Sequence, residues 1–405
     1  MQSPLDPVAC SGLSRRSFFR FAAGASALAS MPLLTESHLA MAARPHFADP
    51  NKGIHIDANE NPMGPSDAAR QAMIDIVPRG GRYLFPMEDE LSGIFAKQEG
   101  LDPESVIPFA GSSEPLHYTV LAFTSKDKPL VIADPGYEAP MWAAQISGAP
   151  VIKVPLADPK GSASHDVKAM LAAASNPGVI YICNPNNPTG TCTPRKDIEY
   201  VVAHAPKDTV VMIDEAYIHL CDEPRSVDFV KEGKNVIVLR TFSKLYGMAG
   251  IRMGFAVGRP DLLAKITKFG GQNSLPITAV AAAKASLLDP DLIPARKKKI
   301  ADIRAENIAW LKSQGYTVTP SESNCFMLDV KRPGKEVQAA LAAKDMFVGR
   351  IWPAWPTQVR ITVGTQEEMM AFRKAFTEVM SSSTAGLVPP KLPGRLAERP
   401  FSHMS

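Results

Sequence analysis

Four apolar residues, Val210-Val211-Met212-Ile213, push Asp214 to the end of what reads as a buried strand, with Glu215, Ala216 and Tyr217 behind it. An ionised carboxylate in such a place is costly unless a cation meets it. A protonated ring nitrogen is one such cation, and Tyr217 is near enough in sequence to reach a second atom of the same ring. Alone, a carboxylate at a strand end is a weak signal. Thirty residues beyond Asp214 lies Lys244, within Arg240-Thr241-Phe242-Ser243-Lys244-Leu245-Tyr246-Gly247-Met248-Ala249-Gly250-Ile251-Arg252. A lysine among hydroxyls and near an arginine has surroundings that lower an amine's pKa and aim it at a carbonyl. Thr241, Ser243 and Arg252 together suit a phosphate monoester. The bland alternative, a surface lysine with random Ser and Thr neighbours, leaves the glycines and the spaced arginine unexplained. Two loops add to the set. Ala110-Gly111-Ser112-Ser113-Glu114 follows an apolar run and precedes a helix, which makes an anion site of its N–H groups. Asn184-Pro185-Asn186-Asn187-Pro188-Thr189-Gly190 is a rigid turn that aims an Asn side chain into a cleft.

These loops converge only if the strands before them end on one edge. Short apolar, β-branched runs occur at 129–133, 151–154, 179–183, 209–213, 235–239 and 254–257, separated by helix-length segments. Runs that do not alternate suit fully buried strands, so the expected fold class is α/β with a mostly parallel sheet covered on both faces. Residues 276–314 read as helical, with interruptions at Asp289-Pro290 and at Pro294. Strands at 325–330 and 359–363 then alternate with helices, as in a smaller α+β domain. The expected organisation is a leader at 1–42, an arm at 43–70, a large domain at 71–285, a small domain at 286–380 and a loose tail at 381–405.

A length of 405 residues allows two such domains, and 45% apolar against 21% charged residues marks an ordinary globular chain. A net charge of +3 falls well short of a nucleic-acid-binding balance. The basic run Arg296-Lys297-Lys298-Lys299 is expected to be a solvated face. Ser14-Arg15-Arg16-Ser17-Phe18-Phe19, an Ala-rich stretch and Ala40-Met41-Ala42 form a twin-arginine leader with a cut after Ala42. Export to the periplasm or beyond through the twin-arginine machinery is the expectation, with a cytoplasmic protein the alternative if the signal is not used. The apolar stretch is too short to be a stable membrane anchor. Cys183, Cys192, Cys221 and Cys325 show no metal-binding spacing, so no metal site is expected, and their pairing is open.

Together these motifs make the chain resemble a class I/II aminotransferase of the fold-type I pyridoxal-phosphate group, closest to the histidinol-phosphate aminotransferases. Also carrying the resemblance are Ala58-Asn59-Glu60-Asn61-Pro62, Arg82-Tyr83, Pro135-Gly136-Tyr137 and Val359-Arg360-Ile361-Thr362-Val363-Gly364. It implies a sheet of the seven-stranded type and pyridoxal 5′-phosphate as cofactor. By resemblance Lys244 is the Schiff-base lysine and proton shuttle, and Asp214 the partner of the ring nitrogen. Asn187 and Tyr217 contact the phenolic oxygen, and Tyr137 stacks on the ring. Ser112, Ser113, Thr241, Ser243 and Arg252 form the phosphate cup. Tyr83 reaches the phosphate of a neighbouring subunit, which implies a homodimer. Arg360, Arg350 and Asn324 match groups around the substrate's acid end.

Two departures bear on the substrate. The arm reads Arg44-Pro45-His46-Phe47-Ala48-Asp49, without the tyrosine that histidinol-phosphate enzymes usually carry there. Trp352 and Trp355 flank the anion-binding region, either lining a pocket for a bulky side chain or packing between domains. The expected reaction moves an amino group between an amino acid, or amino-alcohol phosphate, and a 2-oxo acid. A related decarboxylase or lyase and a non-catalytic exported binding protein are the alternatives.

Overall fold

The computed structural model describes residues 33–44, 52–270 and 274–382; the twin-arginine pair and the tail beyond Ser382 lie outside them. Strand β1 (Ile54–Ile56) comes first, and seven strands build the central sheet: β2 (Val106–Phe109), β3 (Leu130–Asp134), β4 (Val151–Pro155), β5 (Val179–Cys183), β6 (Val210–Asp214), β7 (Val236–Thr241) and β8 (Gly254–Gly258). Their order is β2-β8-β7-β6-β5-β3-β4. Strands β3 to β7 are parallel, while β8 runs antiparallel to both β7 and β2. The α/β class and the mostly parallel sheet are as the apolar runs predict. Every residue of β5, β6, β7 and β8 is buried, which is why these runs do not alternate.

Register decides where the chemistry collects. Cys183, Asp214 and Leu239 stand level across β5, β6 and β7, so the segments that follow them leave from one edge. Because β8 is antiparallel, its first residue, Gly254, pairs with both Phe109 and Thr241. The Ser112 loop, Thr241 and Arg252 therefore meet at that edge. Only glycine fits at the crossing: a Cβ on Gly254 would lie 2.6 Å from the Arg240 carbonyl oxygen and 2.9 Å from the Ser112 nitrogen.

Beyond the central sheet come β9 (Thr317–Val318), β10 (Cys325–Asp329), β11 (Met346–Val348) and β12 (Gln358–Thr362). Strands β12-β10-β9 form an antiparallel sheet, and β11 pairs in parallel with β1. The β1 pairing holds Asp57 to Asn61 against β12, where Asn59 N–H donates to Thr362 Oγ1 at 3.0 Å.

Two expectations need correction. Pro294 interrupts nothing: the helix Leu292–Ser313 runs through it. It lies in the first turn, where a missing N–H costs no intrahelical bond. The basic run is only partly solvated. Arg296 is buried and donates to the Leu245 carbonyl at 3.0 Å, and Lys297 donates to the Cys221 carbonyl at 2.7 Å, while Lys298 pairs on the surface with Asp302. The four cysteines 183, 192, 221 and 325 are free thiols. Among the described residues no helix is long and apolar enough to cross a membrane, and no cluster suits a metal ion.

Candidate active site

A cavity of about 240 Å³ opens at the common strand edge, with Lys244, Asp214, Tyr217 and Tyr137 among its walls. Lys244 is buried, and that burial lowers the pKa of its amine; the nearby Arg360 acts in the same sense, while Glu36 opposes them. Its Nζ donates to the Ala58 carbonyl at 3.4 Å and stands 5.6 Å from the centre of the Tyr217 ring. An amine held this way sheds its proton readily and becomes a nucleophile.

Asp214 is buried and accepts only from neutral donors, the Tyr181 hydroxyl at 2.9 Å and the Ala216 N–H at 3.1 Å. Burial pushes its pKa up to about 6, against the Tyr181 and Ala216 hydrogen bonds and the Lys244 charge, which lower it. A carboxylate raised in the folded state above its unfolded value of 3.8 destabilises the fold once ionised. The cost is absent below the unfolded value, grows as pH rises to about 6, and is full above it. Asp214→Asn is therefore expected to stabilise the cofactor-free protein at pH 7.5 by roughly 1–3 kcal/mol. The same change should shrink the stabilisation gained on adding pyridoxal phosphate. Thermal unfolding of both proteins, with and without cofactor, checks this; an unchanged cofactor-induced gain would refute it.

The cup is built at the β8 crossing. Ser112 and Ser113 stand at the N-terminus of the helix Ser113–Phe123, where unpaired N–H groups favour an anion. Thr241 Oγ1 donates to Ser243 Oγ at 2.9 Å, and Arg252 reaches the same oxygen at 3.3 Å. Arg252 also donates to the Ala249 and Ala110 carbonyls at 3.0 and 3.1 Å, which ties the loop before β8 to the loop after β2. Gly111 has φ +88°, and a Cβ there would lie 2.2 Å from the Arg252 guanidinium. The arginine thus lies flat against the turn.

Opposite the cup, Arg360 is fully buried and donates to Asn187 Oδ1 at 2.8 Å. Arg350 donates to Glu138 at 2.8 Å, and both arginines bind the Glu36 carboxylate. The Trp352 ring lies 5.0 Å from the Arg350 guanidinium and 5.6 Å from that of Arg360, and its Nε1 donates to the Gly136 carbonyl at 2.9 Å. The tryptophan supports the arginines from behind rather than lining the cavity. Trp355 packs elsewhere, against Ala133, Leu156 and Ala163.

Asn324 meets the rim of the cavity through the Asn59-Glu60 loop. Its amide donates to the Asn59 carbonyl at 3.0 Å and reaches that of Glu60 at 3.4 Å, so it shapes the Asn59-Glu60 loop and does not line the cavity. Tyr83 is 74% exposed and stacks on Phe85, away from this chain's own cavity.

Four further residues support the site. Tyr181 holds Asp214, Asn59 Nδ2 donates to the Tyr217 hydroxyl oxygen at 3.1 Å, and Asn61 and Arg296 both donate to the Leu245 carbonyl next to Lys244. A lone phenol inside the aliphatic run of β5 was a usable sign, since a buried tyrosine hydroxyl needs a partner.

The buried Asp214 carboxylate suits a ring cation, the cup of hydroxyls, helix N–H groups and Arg252 suits a phosphate, and the Lys244 amine suits a carbonyl carbon. Pyridoxal 5′-phosphate carries all three complements in one molecule, and the residues present fit it. The fold and site are those of a pyridoxal-phosphate enzyme. The chain belongs to the aminotransferase class I and II family, whose family model matches residues 51–376. It is similar to a histidinol-phosphate aminotransferase of Moorella thermoacetica, 32% identical over 81% of this chain and 86% of that protein. It is also similar to an aromatic amino acid aminotransferase of Rhodococcus jostii, 32% identical over 82% and 92%. A solved histidinol-phosphate aminotransferase from Sinorhizobium meliloti, in complex with pyridoxal-5′-phosphate, superposes with a TM-score of 0.76 at 25% identity, covering 92% of this chain and 99% of that one. The protein is a pyridoxal-phosphate-dependent aminotransferase.

Proposed function

We propose that the enzyme moves an amino group between an α-amino acid and a 2-oxo acid, with Lys244 as the catalytic amine and Arg360 and Arg350 as the seat of the substrate's acid group. The observation that carries this is a carboxylate, that of Glu36, already resting on both arginines across the cavity from Lys244.

Bound pyridoxal phosphate supplies an electron sink for negative charge at the substrate's Cα. Asp214 keeps the ring nitrogen's proton in place. Tyr217, whose hydroxyl oxygen already accepts from Asn59, has its own proton to donate to the phenolic oxygen, with Asn187 beside it. Tyr137 covers the ring face. Ser112, Ser113, Thr241, Ser243 and Arg252 hold the phosphate. With the cofactor bound, Lys244 Nζ would be placed to carry a proton to and from the substrate's Cα.

An amino acid panel that includes histidinol phosphate and phenylalanine, followed by cofactor absorbance, tests the reaction; carbon dioxide release in place of oxo-acid formation would overturn it. The missing arm tyrosine and the leader both weigh against histidinol phosphate as the working donor. Arg360→Lys removes the planar fork and should lower kcat/KM for the best amino acid by about 100-fold, in line with roughly 1.5–3 kcal/mol for a charged hydrogen bond. A change under threefold would place the acid group elsewhere.

The same reading includes a homodimer in which Tyr83 completes a neighbour's cup. Ile74, Val77, Tyr83 and Phe85 leave an apolar stretch exposed that a second copy would cover. Sedimentation at a single-chain mass would oppose it. Export through the twin-arginine route is supported by Arg15-Arg16 and Ala40-Met41-Ala42. A secreted protein whose sequence begins upstream of Ala43 would argue against the cut.

A further inference from the structure

The helix Glu36–Ala43 runs across the expected cut after Ala42, and its first residue, Glu36, reaches into the catalytic cavity. Glu36 Oε1 accepts from Arg360 at 2.6 Å and from Arg350 at 2.8 Å; Oε2 accepts from Asn187 at 3.3 Å and from Arg350 at 3.4 Å. Upstream, the Leu34 N–H donates to His117 Nε2 at 3.3 Å, which leads the chain over the cup. The Thr35 and His38 capping pair, Leu39 packed on the core and, past the cut, Arg44 on the Asp57 carboxylate at 2.7 Å also hold it. Ala40 is its one buried residue, and Met41 is 62% exposed. Eight residues make a marginal helix in isolation, so it depends on these contacts, and ahead of the cut Glu36 is its ionic anchor.

Without Glu36, Arg360 keeps only Asn187 and the Asp57 carbonyl, leaving a buried cation in want of an anion. With Glu36 in place, an acidic substrate meets arginines that are already neutralised. We propose that the helix Glu36–Ala43 is an internal plug, in which the Glu36 carboxylate stands in for the substrate's acid group and keeps the precursor closed to substrate. The plug rests on the reading that Arg350 and Arg360 seat that acid group. Removal of the segment, by hydrolysis of the Ala42–Ala43 peptide bond, opens the site.

Protonation does not open it. Burial would raise the Glu36 pKa, but Arg350, Arg360 and Lys244 overcome this and bring it down to about 2. A depressed carboxylate pKa means the contact is lost only as pH falls through that value.

The test compares the full chain with Glu36→Gln and with Ala40→Lys, which unseats the helix without touching the arginines. The probe is 3-phenylpropionate, an unreactive monocarboxylate, titrated calorimetrically into each cofactor-loaded protein. A tethered competitor acts at roughly millimolar effective concentration, so both variants should bind the probe about tenfold more tightly. The KM for an amino acid substrate should fall in parallel. Equal or weaker probe binding in both variants overturns the plug and makes Glu36 part of the substrate's seat. Because the probe does not react, this outcome is separate from the failure of transamination, which would show as absent turnover in the same variants.

Discussion

Lys244→Ala is expected to lower turnover by about 10⁴-fold or more, because one side chain serves as both covalent partner and proton carrier. The cup does not depend on it. Ser112, Ser113, Thr241, Ser243 and Arg252 are placed by the β8 crossing and the helix N-terminus, so the variant should still bind pyridoxal phosphate. Borohydride reduction followed by mass spectrometry of the peptides should attach cofactor mass to residue 244 in the parent and nowhere in the variant. Turnover within tenfold of the parent would overturn the assignment of Lys244.

The second large effect is on stability. Arg240 donates to Glu215 at 2.8 Å and to His219 at 2.8 Å, with Glu99 at 3.4 Å, and Arg240 and Glu215 are all but inaccessible. The other Glu215 oxygen accepts the Ser226 N–H at 2.6 Å. Arg240→Met leaves that carboxylate buried without a cation, a loss of about 3–5 kcal/mol. Arg240→Met combined with Glu215→Leu should recover much of the loss, since exchanging a buried pair for apolar side chains is often neutral. Urea denaturation of the parent, single and double variants checks both statements. A single variant within 1 kcal/mol of the parent, as a rough threshold, would show that water reaches Glu215.

Strands β3 to β8, β10 and β12 were legible to within two residues because buried runs lose polar alternation and stand out from their surroundings, whereas β2 and the short β1, β9 and β11 were not read as strands. Asp214 and Lys244 were legible for a chemical reason: each residue type is costly where the pattern puts it unless it meets a partner. Long-range pairing was not legible. Arg296 sits in a run that reads as solvated, and nothing in its neighbourhood points to the Leu245 carbonyl 51 residues earlier. Trp352 reads equally well as pocket wall or packing until the arginines stack on it. Glu36 lies 314 and 324 residues from the arginines it binds, in a segment whose composition reads as a leader. Asn324 shows a subtler gap, since its position near the substrate end was foreseeable but its use of both carbonyls at Asn59-Glu60 was not.

Strand β8 runs against β7, and this has a consequence for how firmly the reactive lysine is held. Residues 242–253 form the loop of a hairpin whose two stems sit in the middle of the sheet, closed by the Thr241 and Gly254 pair and by the Phe242 N–H on the Met253 carbonyl. Within the loop, Met248 N–H returns to Phe242 and Arg252 N–H to Met248. The lysine cannot drift by fraying, as it would on a surface loop tied at the rim. Moving its backbone means unzipping two interior strands, an opening whose cost approaches that of unfolding the whole sheet. Rigidity at the catalytic amine is thus inherited from the interior of the sheet.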